Sequence, residues 1–83
     1  MIKILFFASL KEQLASEGLE FAISEKMTVS QLVIFLGNKE TPDWAGILCA
    51  EDILVAVNQT VVDRDFMVAP GDEVAFFPPV SGG

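Results

Sequence analysis

Two apolar, β-favouring runs lie near the two ends of the sequence and constrain the fold more than any other feature. The first covers Ile2 to Phe7, and the second covers Glu73 to Phe77, just before Pro78 and Pro79. Continuous apolar strands are typical of the buried middle of a sheet. With only 83 residues, 52% of them hydrophobic, the chain cannot divide its apolar surface between two cores. We therefore expect one sheet in which the first and last strands are central neighbours.

The clearest helical signal lies in the middle of the chain. Thr28 precedes Gln31 by three residues, the spacing of a capping box, and apolar residues recur at helical intervals from Val29 to Leu36. Gly37 is expected to end this helix, because glycine is common just past a helix C-terminus. This segment is the principal helix of the predicted fold.

Shorter patterns predict the remaining elements. Ser9 is expected to cap a short helix that runs to Leu14. Residues 19–23 alternate in polarity, which predicts a strand paired with the first one as a hairpin. Residues 38–52 are expected to form a loop with a short helical turn held by buried anchors. The other predicted elements are strands at residues 53–57 and 60–62, a turn at Asn58 and Gln59, and a sharper turn at residues 70–72.

The order of these elements predicts the fold class. Strand, strand, helix and then further strands indicate an α+β protein with a mixed sheet and one principal helix packed on one face. This is the layout of the β-grasp, or ubiquitin-like, fold. We expect one β-grasp domain over residues 1–79, followed by a flexible C-terminal tail over residues 80–83.

Charge and hydropathy argue against several classes of partner. Five Lys and Arg residues against twelve Asp and Glu residues give a net charge of −7, which repels nucleic acid phosphates and anionic lipid headgroups. No apolar run approaches the length that spans a bilayer, and the N-terminus lacks the layout of a signal peptide. We expect no nucleic acid partner, no membrane association and a cytoplasmic location.

The side chains offer little for catalysis or metal binding. The chain has no histidine, and its single cysteine, Cys49, excludes an internal disulfide. Cys49 lies between apolar neighbours, so it is expected to be a buried packing residue without a function. No phosphate-binding loop and no pair of cysteines at metal-ligand spacing is present, so no bound cofactor or metal is expected.

The C-terminus is the remaining candidate for chemistry. Pro78 and Pro79 impose a stiff, extended exit from the last strand. Gly82 and Gly83 have no Cβ, so they fit a narrow channel in another protein. A carboxylate on Gly83 would first need activation by a partner, most simply as an acyl-adenylate made from ATP. A sulfur nucleophile could then displace AMP and leave a thiocarboxylate, although an ordinary frayed end is the alternative.

Three segments together closely resemble the small subunit of molybdopterin synthase: residues 72–83, with their Phe-Phe-Pro-Pro-x-x-Gly-Gly ending, residues 1–8 and residues 56–59. The resemblance implies a ubiquitin-like sulfur carrier whose Gly83 is activated by an E1-like adenylyltransferase, which is where ATP is used. Sulfur from a cysteine-desulfurase route then forms the thiocarboxylate, and Gly82 positions the end of the tail.

The same resemblance implies a place in an enzyme complex. Members of this family donate sulfur to cyclic pyranopterin monophosphate, and two transfers build the dithiolene of molybdopterin. The chain would be the sulfur-donating subunit of a heterotetrameric sulfurtransferase, with catalytic side chains mainly on the large subunit. Only the tail would reach the pterin precursor.

Strand parity predicts where a partner docks. Lys3, Leu5 and Phe7 should face the opposite side of the sheet from the alternate residues of the first strand. We predict that Phe7, Phe77 and Val61 form an exposed apolar patch beside the tail. The alternative is that these side chains belong to the core and that the loop around Trp44 covers them. The predicted partner-binding residues are Phe7, Val61, Phe77, Pro78, Pro79, Val80 and Ser81, with Lys3 and Lys11 as candidates for its rim.

The sequence also fits other functions. A carrier for thiamine or tRNA thiolation, or a protein modifier, would share the fold and the free Gly-Gly end. A passive β-grasp interaction module would use the sheet patch and would not need the terminus.

Overall fold

The computed structural model describes residues 1–79, apart from the side chain at position 42, and the predicted tail at residues 80–83 lies outside these described residues. A five-stranded sheet and a two-stranded sheet are present in the described part. In chain order the elements are β1 (Ile2–Phe6), α1 (Ser9–Leu14), β2 (Gly18–Phe21), β3 (Met27–Thr28), α2 (Val29–Lys39), α3 (Pro42–Leu48), β4 (Leu54–Val57), β5 (Thr60–Val62), β6 (Met67–Val68) and β7 (Glu73–Phe77).

The larger sheet has the order β2-β1-β7-β4-β5. β1 and β7 are parallel neighbours, and the other pairs in this sheet are antiparallel. The predicted central position of the first and last strands is therefore confirmed, as is the predicted β1–β2 hairpin. A mixed sheet with α2 packed on one face confirms the α+β, β-grasp fold.

The core lies between this sheet and the helices. Ile2, Ile4 and Phe6 of β1 are buried, and so are Val74 and Phe76 of β7. Alternate residues of a strand point to opposite faces, so these five side chains form one apolar face of the central strands. The buried residues of α2 that belong to the same cluster are Val29, Leu32, Val33 and Leu36.

α2 begins as predicted but ends later than predicted. Both bonds of the capping box are present, since Gln31 N–H donates to Thr28 Oγ1 at 3.1 Å and Thr28 N–H donates to Gln31 Oε1 at 2.9 Å. The prediction that Gly37 ends the helix is wrong, because α2 continues to Lys39. A Cβ at Gly37 would lie 2.7 Å from the Cβ of Ala45, so this glycine allows α3 to pack closely against α2.

Two predictions about single residues are wrong. Ser9 is already inside α1, and the N-cap position belongs to Ala8, with φ 56° and ψ −133° and without a side-chain cap bond. Cys49 is exposed rather than buried. It lies at the C-cap of α3, one residue past the buried Leu48, where the chain turns back toward solvent.

The segment over residues 38–52 is more regular than expected. α3 fills its middle, and Leu48 is buried while Trp44 and Ile47 are partly buried against the core, as the predicted anchors require. The turn at Asn58 and Gln59 is confirmed, and positive φ at both residues gives the type I′ geometry of a tight hairpin. The small β3–β6 sheet was not predicted.

Arg64 connects the end of α3 and the residues before β4 to the start of α2. Its guanidinium donates hydrogen bonds to the carbonyl oxygens of Leu48 at 2.6 Å, Ala50 at 3.2 Å and Ile53 at 2.9 Å. Its own carbonyl accepts a bond from Ser30 N–H at 3.1 Å, near the start of α2. The end of α3 and the approach to β4 are thereby fixed against the start of α2.

None of the helices that the structure describes combines the length and the apolar character needed to cross a membrane, and the longest, α2, has 11 residues.

Candidate functional site

The five-stranded sheet has a second, partly exposed apolar face, on the side away from α2. We call it the outer sheet face and define it by the side chains that alternate with the buried ones. In the sheet register, Leu54 lies opposite Phe77 on the neighbouring strand. Phe7 is 44% exposed, Leu54 38% and Val61 63%. The outer sheet face consists of Leu5, Phe7, Leu54, Val61, Ala75 and Phe77.

The structure places the three predicted sheet residues on this same face but not at one point. Phe7 follows β1, and its N–H donates to the carbonyl oxygen of Phe76 at 3.1 Å, which sets it beside the end of β7 and close to Phe77. Val61 belongs to the edge strand β5, with β7 and β4 between it and β1, a separation of about 14 Å at the usual strand spacing. Phe77 is half-buried, less exposed than the patch prediction assumed.

Trp44 does not cover the outer sheet face. Its ring packs edge-on against Phe6, with 5.2 Å between ring centroids. Phe6 is buried on the helix side of the sheet, opposite the face that carries Leu5 and Phe7. Trp44 therefore leaves the outer sheet face open to a partner.

Leu54 was missed by the sequence analysis. The predicted strand included it, and alternation with the buried Val55 would have placed it on the outer sheet face. Its position next to Phe77 depends on the antiparallel register between β4 and β7, and no sequence pattern indicates that register. The register makes Leu54 the side chain that lies between Phe77 and the edge strand that carries Val61.

The apolar character of this face is concentrated toward the end where the tail leaves. β1 and β7 run parallel, so Phe7 and Phe77 lie at the same end of the sheet. At the other end, Lys3 lies between Glu20 and Glu73 in the sheet register. Burial of large apolar side chains contributes about 25 cal/mol per Å² of apolar area, so the tail end is the part suited to docking.

The tail itself lies only partly inside the described residues. Pro78 is half-buried, and Pro79 is exposed. The predicted roles of Val80, Ser81, Gly82 and Gly83 fall on residues outside the described part, so they stay predictions. Lys3 and Lys11, the candidates for a rim, are both exposed, but Lys3 is at the charged end of the face and Lys11 is on α1.

Comparisons with known proteins agree with the sequence resemblance. The model of the ThiS family matches residues 4–83. The molybdopterin synthase sulfur carrier subunit of Escherichia coli (strain K12) is 43% identical over 83 residues, with 100% of both chains covered. The crystal structure of SAMP1 from Haloferax volcanii has a TM-score of 0.80 at 27% identity, covering 99% of this chain and 98% of its own.

A further solved structure supports the fold. It is the complex of subunits 1 and 2 of molybdopterin-converting factor from Helicobacter pylori 26695, in which one chain has a TM-score of 0.64 at 24% identity. The match covers 99% of this chain and 97% of that one. A family model that matches nearly every residue, together with a full-length relative at 43% identity, confirms the resemblance: the chain belongs to the ThiS family and is similar over its whole length to sulfur carrier subunits of molybdopterin synthase.

Proposed function

We propose that this chain is the sulfur carrier subunit of a molybdopterin synthase and that its working group is the C-terminal carboxylate of Gly83. The observation that carries the proposal is the full-length, 43% identity to a relative named for this role. The outer sheet face supports it, since it offers a partner an apolar docking surface at the end of the sheet from which the tail leaves.

The chemistry needs an activating enzyme, a sulfur donor and the large synthase subunit besides this chain. An E1-like adenylyltransferase joins the Gly83 carboxylate to AMP from ATP and releases pyrophosphate. Sulfur at the oxidation level of hydrosulfide then attacks the acyl carbon, AMP leaves with the electron pair of the broken C–O bond, and loss of the sulfur-bound proton gives the thiocarboxylate. The thiocarboxylate sulfur attacks a side-chain carbon of cyclic pyranopterin monophosphate, from which an oxygen substituent leaves, and water then cleaves the acyl–sulfur bond and restores the Gly83 carboxylate. A second loaded carrier makes the second transfer, which completes the dithiolene.

The large synthase subunit is the proposed partner for the outer sheet face. Phe7, Leu54, Val61 and Phe77 dock against it, and the tail enters its active site with Gly82 and Gly83 at the end. The large subunit supplies most catalytic side chains, and two copies of each subunit form a heterotetramer in the cytoplasm. The carrier contributes the sulfur and holds no cofactor of its own.

The test is the intact mass of the protein after incubation with the activating enzyme, ATP and a sulfur source. A gain of about 16 Da, which is sulfur in place of oxygen, should appear on the C-terminal peptide. The matched control lacks Gly83 and should show no gain. No gain on the intact chain with a demonstrably active enzyme would contradict the proposal.

Three readouts separate this function from the alternatives. A passive interaction module would bind its partner equally well with and without Gly83. A protein modifier would form an amide with a lysine of another protein, which adds the mass of the whole chain to that protein. A sulfur carrier of molybdopterin synthase instead loses its added sulfur when the large subunit and the pterin precursor are supplied together.

A further inference from the structure

A groove on the helix side of the molecule lies apart from the outer sheet face. It lies between α2 and the chain that follows β2, and its volume is about 490 Å³. Among residues 1–79, none of the residues that line it belongs to the outer sheet face. Its lining includes Ala22, Glu25, Lys26, Ile34 and Phe35.

β2 borders this groove and is an edge strand of the sheet. Phe6 N–H donates to Glu17 O, so in the antiparallel register the residues of β2 that bond to β1 are Leu19 and Phe21. Gly18 and Glu20 therefore direct their backbone N–H and C=O away from the sheet. Ser16 Oγ covers both groups of Gly18, at 3.1 and 3.2 Å.

The outward backbone groups of Glu20, and of Ala22 just past the strand, are the ones left for a further strand. No strand among residues 1–79 pairs with this side of β2. A row of free donors and acceptors on a sheet edge is a template for an extended peptide. The free edge of β2 therefore selects a peptide with an extended backbone.

The floor of the groove is apolar and supported from below. Ile34 is 60% exposed and Phe35 is 39% exposed, both on α2. The ring of Phe35 stacks on the buried Phe21, with 5.2 Å between centroids and 14° between planes. An added strand would direct alternate side chains onto this floor, so the floor selects apolar residues at every second position.

The charge around the groove is locally different from the rest of the chain. Lys26 lines it, and Nζ of Lys39 lies 5.6 Å from the centroid of the Phe21 ring. These are two of only five cationic residues in a chain with a net charge of −7. Glu25 also lines the groove, whereas Glu20 shares a sheet face with Lys3 and points to the other side. The lysines favour acidic residues beside the apolar segment of the ligand.

We infer that this groove binds an extended segment of a partner protein that adds to the free edge of β2. The segment carries aliphatic residues over Ile34 and Phe35 and acidic residues near Lys26 and Lys39. This inference goes beyond the proposed sulfur-carrier function and does not depend on it. A second copy of the chain is the disfavoured occupant, since each copy carries a net charge of −7.

The test uses the full chain labelled with ¹⁵N and a synthetic peptide of four alternating Val and Ile residues followed by three Asp residues. The amide signals of Glu20 and Ala22 should shift on titration, and hydrogen exchange at the Glu20 amide should slow. A peptide with Pro in the middle of the aliphatic run should lose binding, because proline has no N–H to donate. Lys in place of Asp should weaken binding roughly fivefold at low salt.

Two matched variants locate the site. Ile34→Asp should weaken peptide binding at least tenfold, since it replaces an apolar contact by a charge, and should leave sulfur loading unchanged. Val61→Asp on the outer sheet face should leave peptide binding unchanged. Equal binding by Ile34→Asp, shifts confined to the outer sheet face, or no shift at millimolar peptide would overturn the inference. Shifts at Glu20 that depend on protein concentration alone would overturn it in favour of a dimer.

Discussion

Gly37 and Gly46 form a matched pair for measuring how closely α2 and α3 pack. Both lie inside helices, and neither has a positive φ. A Cβ at Gly37 would lie 2.7 Å from Cβ of Ala45 and 3.4 Å from its backbone nitrogen. A Cβ at Gly46 would have no heavy atom of the described residues within 4 Å, beyond its own helix backbone and chain neighbours. Alanine at these two positions therefore changes helix propensity equally and packing unequally.

The expected magnitudes follow from these distances. Alanine in place of glycine stabilises a helix interior by about 1 kcal/mol, so Gly46→Ala should raise the free energy of unfolding by about that amount. In Gly37→Ala the two Cβ atoms must separate by about 1 Å to reach an ordinary contact. Overpacking of this kind costs about 1 to 3 kcal/mol, which cancels or exceeds the propensity gain. The two variants should thus differ by about 1 to 3 kcal/mol.

Urea unfolding followed by Trp44 fluorescence measures both variants. Trp44 lies in α3 and packs against Phe6, so its emission reports the contact between α3 and the core. Ala45→Gly in the Gly37→Ala background removes the colliding methyl group and should recover more stability than a helix glycine costs. If Gly37→Ala proves as stabilising as Gly46→Ala, the close contact between the two helices is refuted.

Three further variants test other parts of the molecule. Val61→Asp should weaken binding of the large subunit at least tenfold, while the free energy of unfolding changes by less than about 0.5 kcal/mol. Unchanged affinity in calorimetry would exclude Val61 from the docking surface. Arg64→Met should lower the free energy of unfolding by about 2 to 3 kcal/mol, because three carbonyl oxygens lose a charged donor, and a loss below about 0.5 kcal/mol in urea would contradict this. Ala8→Gly should raise stability by about 1 kcal/mol, because its φ of 56° strains an alanine, and a lower Tm would argue against that strain.

Features that rest on local patterns were predictable from the sequence. The capping box of Thr28 and Gln31 involves residues three apart, so its bonds form wherever the helix forms. The apolar runs of β1 and β7 indicated strands buried on at least one face, and their position as central neighbours in the sheet followed from that. The turn at Asn58 and Gln59 was marked by the strand pattern on both sides.

Features that depend on contacts between distant segments were not predictable. Gly37 looks like a helix end in the sequence, but its role is to admit Ala45 from the next helix. Cys49 has apolar neighbours, yet its exposure is decided by where α3 ends and the chain turns. β3 and β6 have two residues each, too few for any periodic pattern to appear.

The candidate site divides along the same line. Parity assigned Phe7 and Val61 to the correct face, because alternation is a local property of a strand. The neighbourhood of Leu54 and Phe77 depends on register, and the groove beside β2 depends on how α2 lies against the sheet. Neither arrangement has a signal within a single segment of sequence.

The position of β7 in the sheet fixes the point at which the described chain leads into the predicted tail. β7 is bonded to β1 on one side and to β4 on the other, so its last residue, Phe77, is held at a fixed place beside Phe7 and Leu54. When a partner docks on the outer sheet face, the residue from which the tail leaves is therefore already at a defined position relative to that partner. It follows that changes which loosen β7 should impair sulfur transfer even where docking survives, whereas changes at the edge of β2 should not.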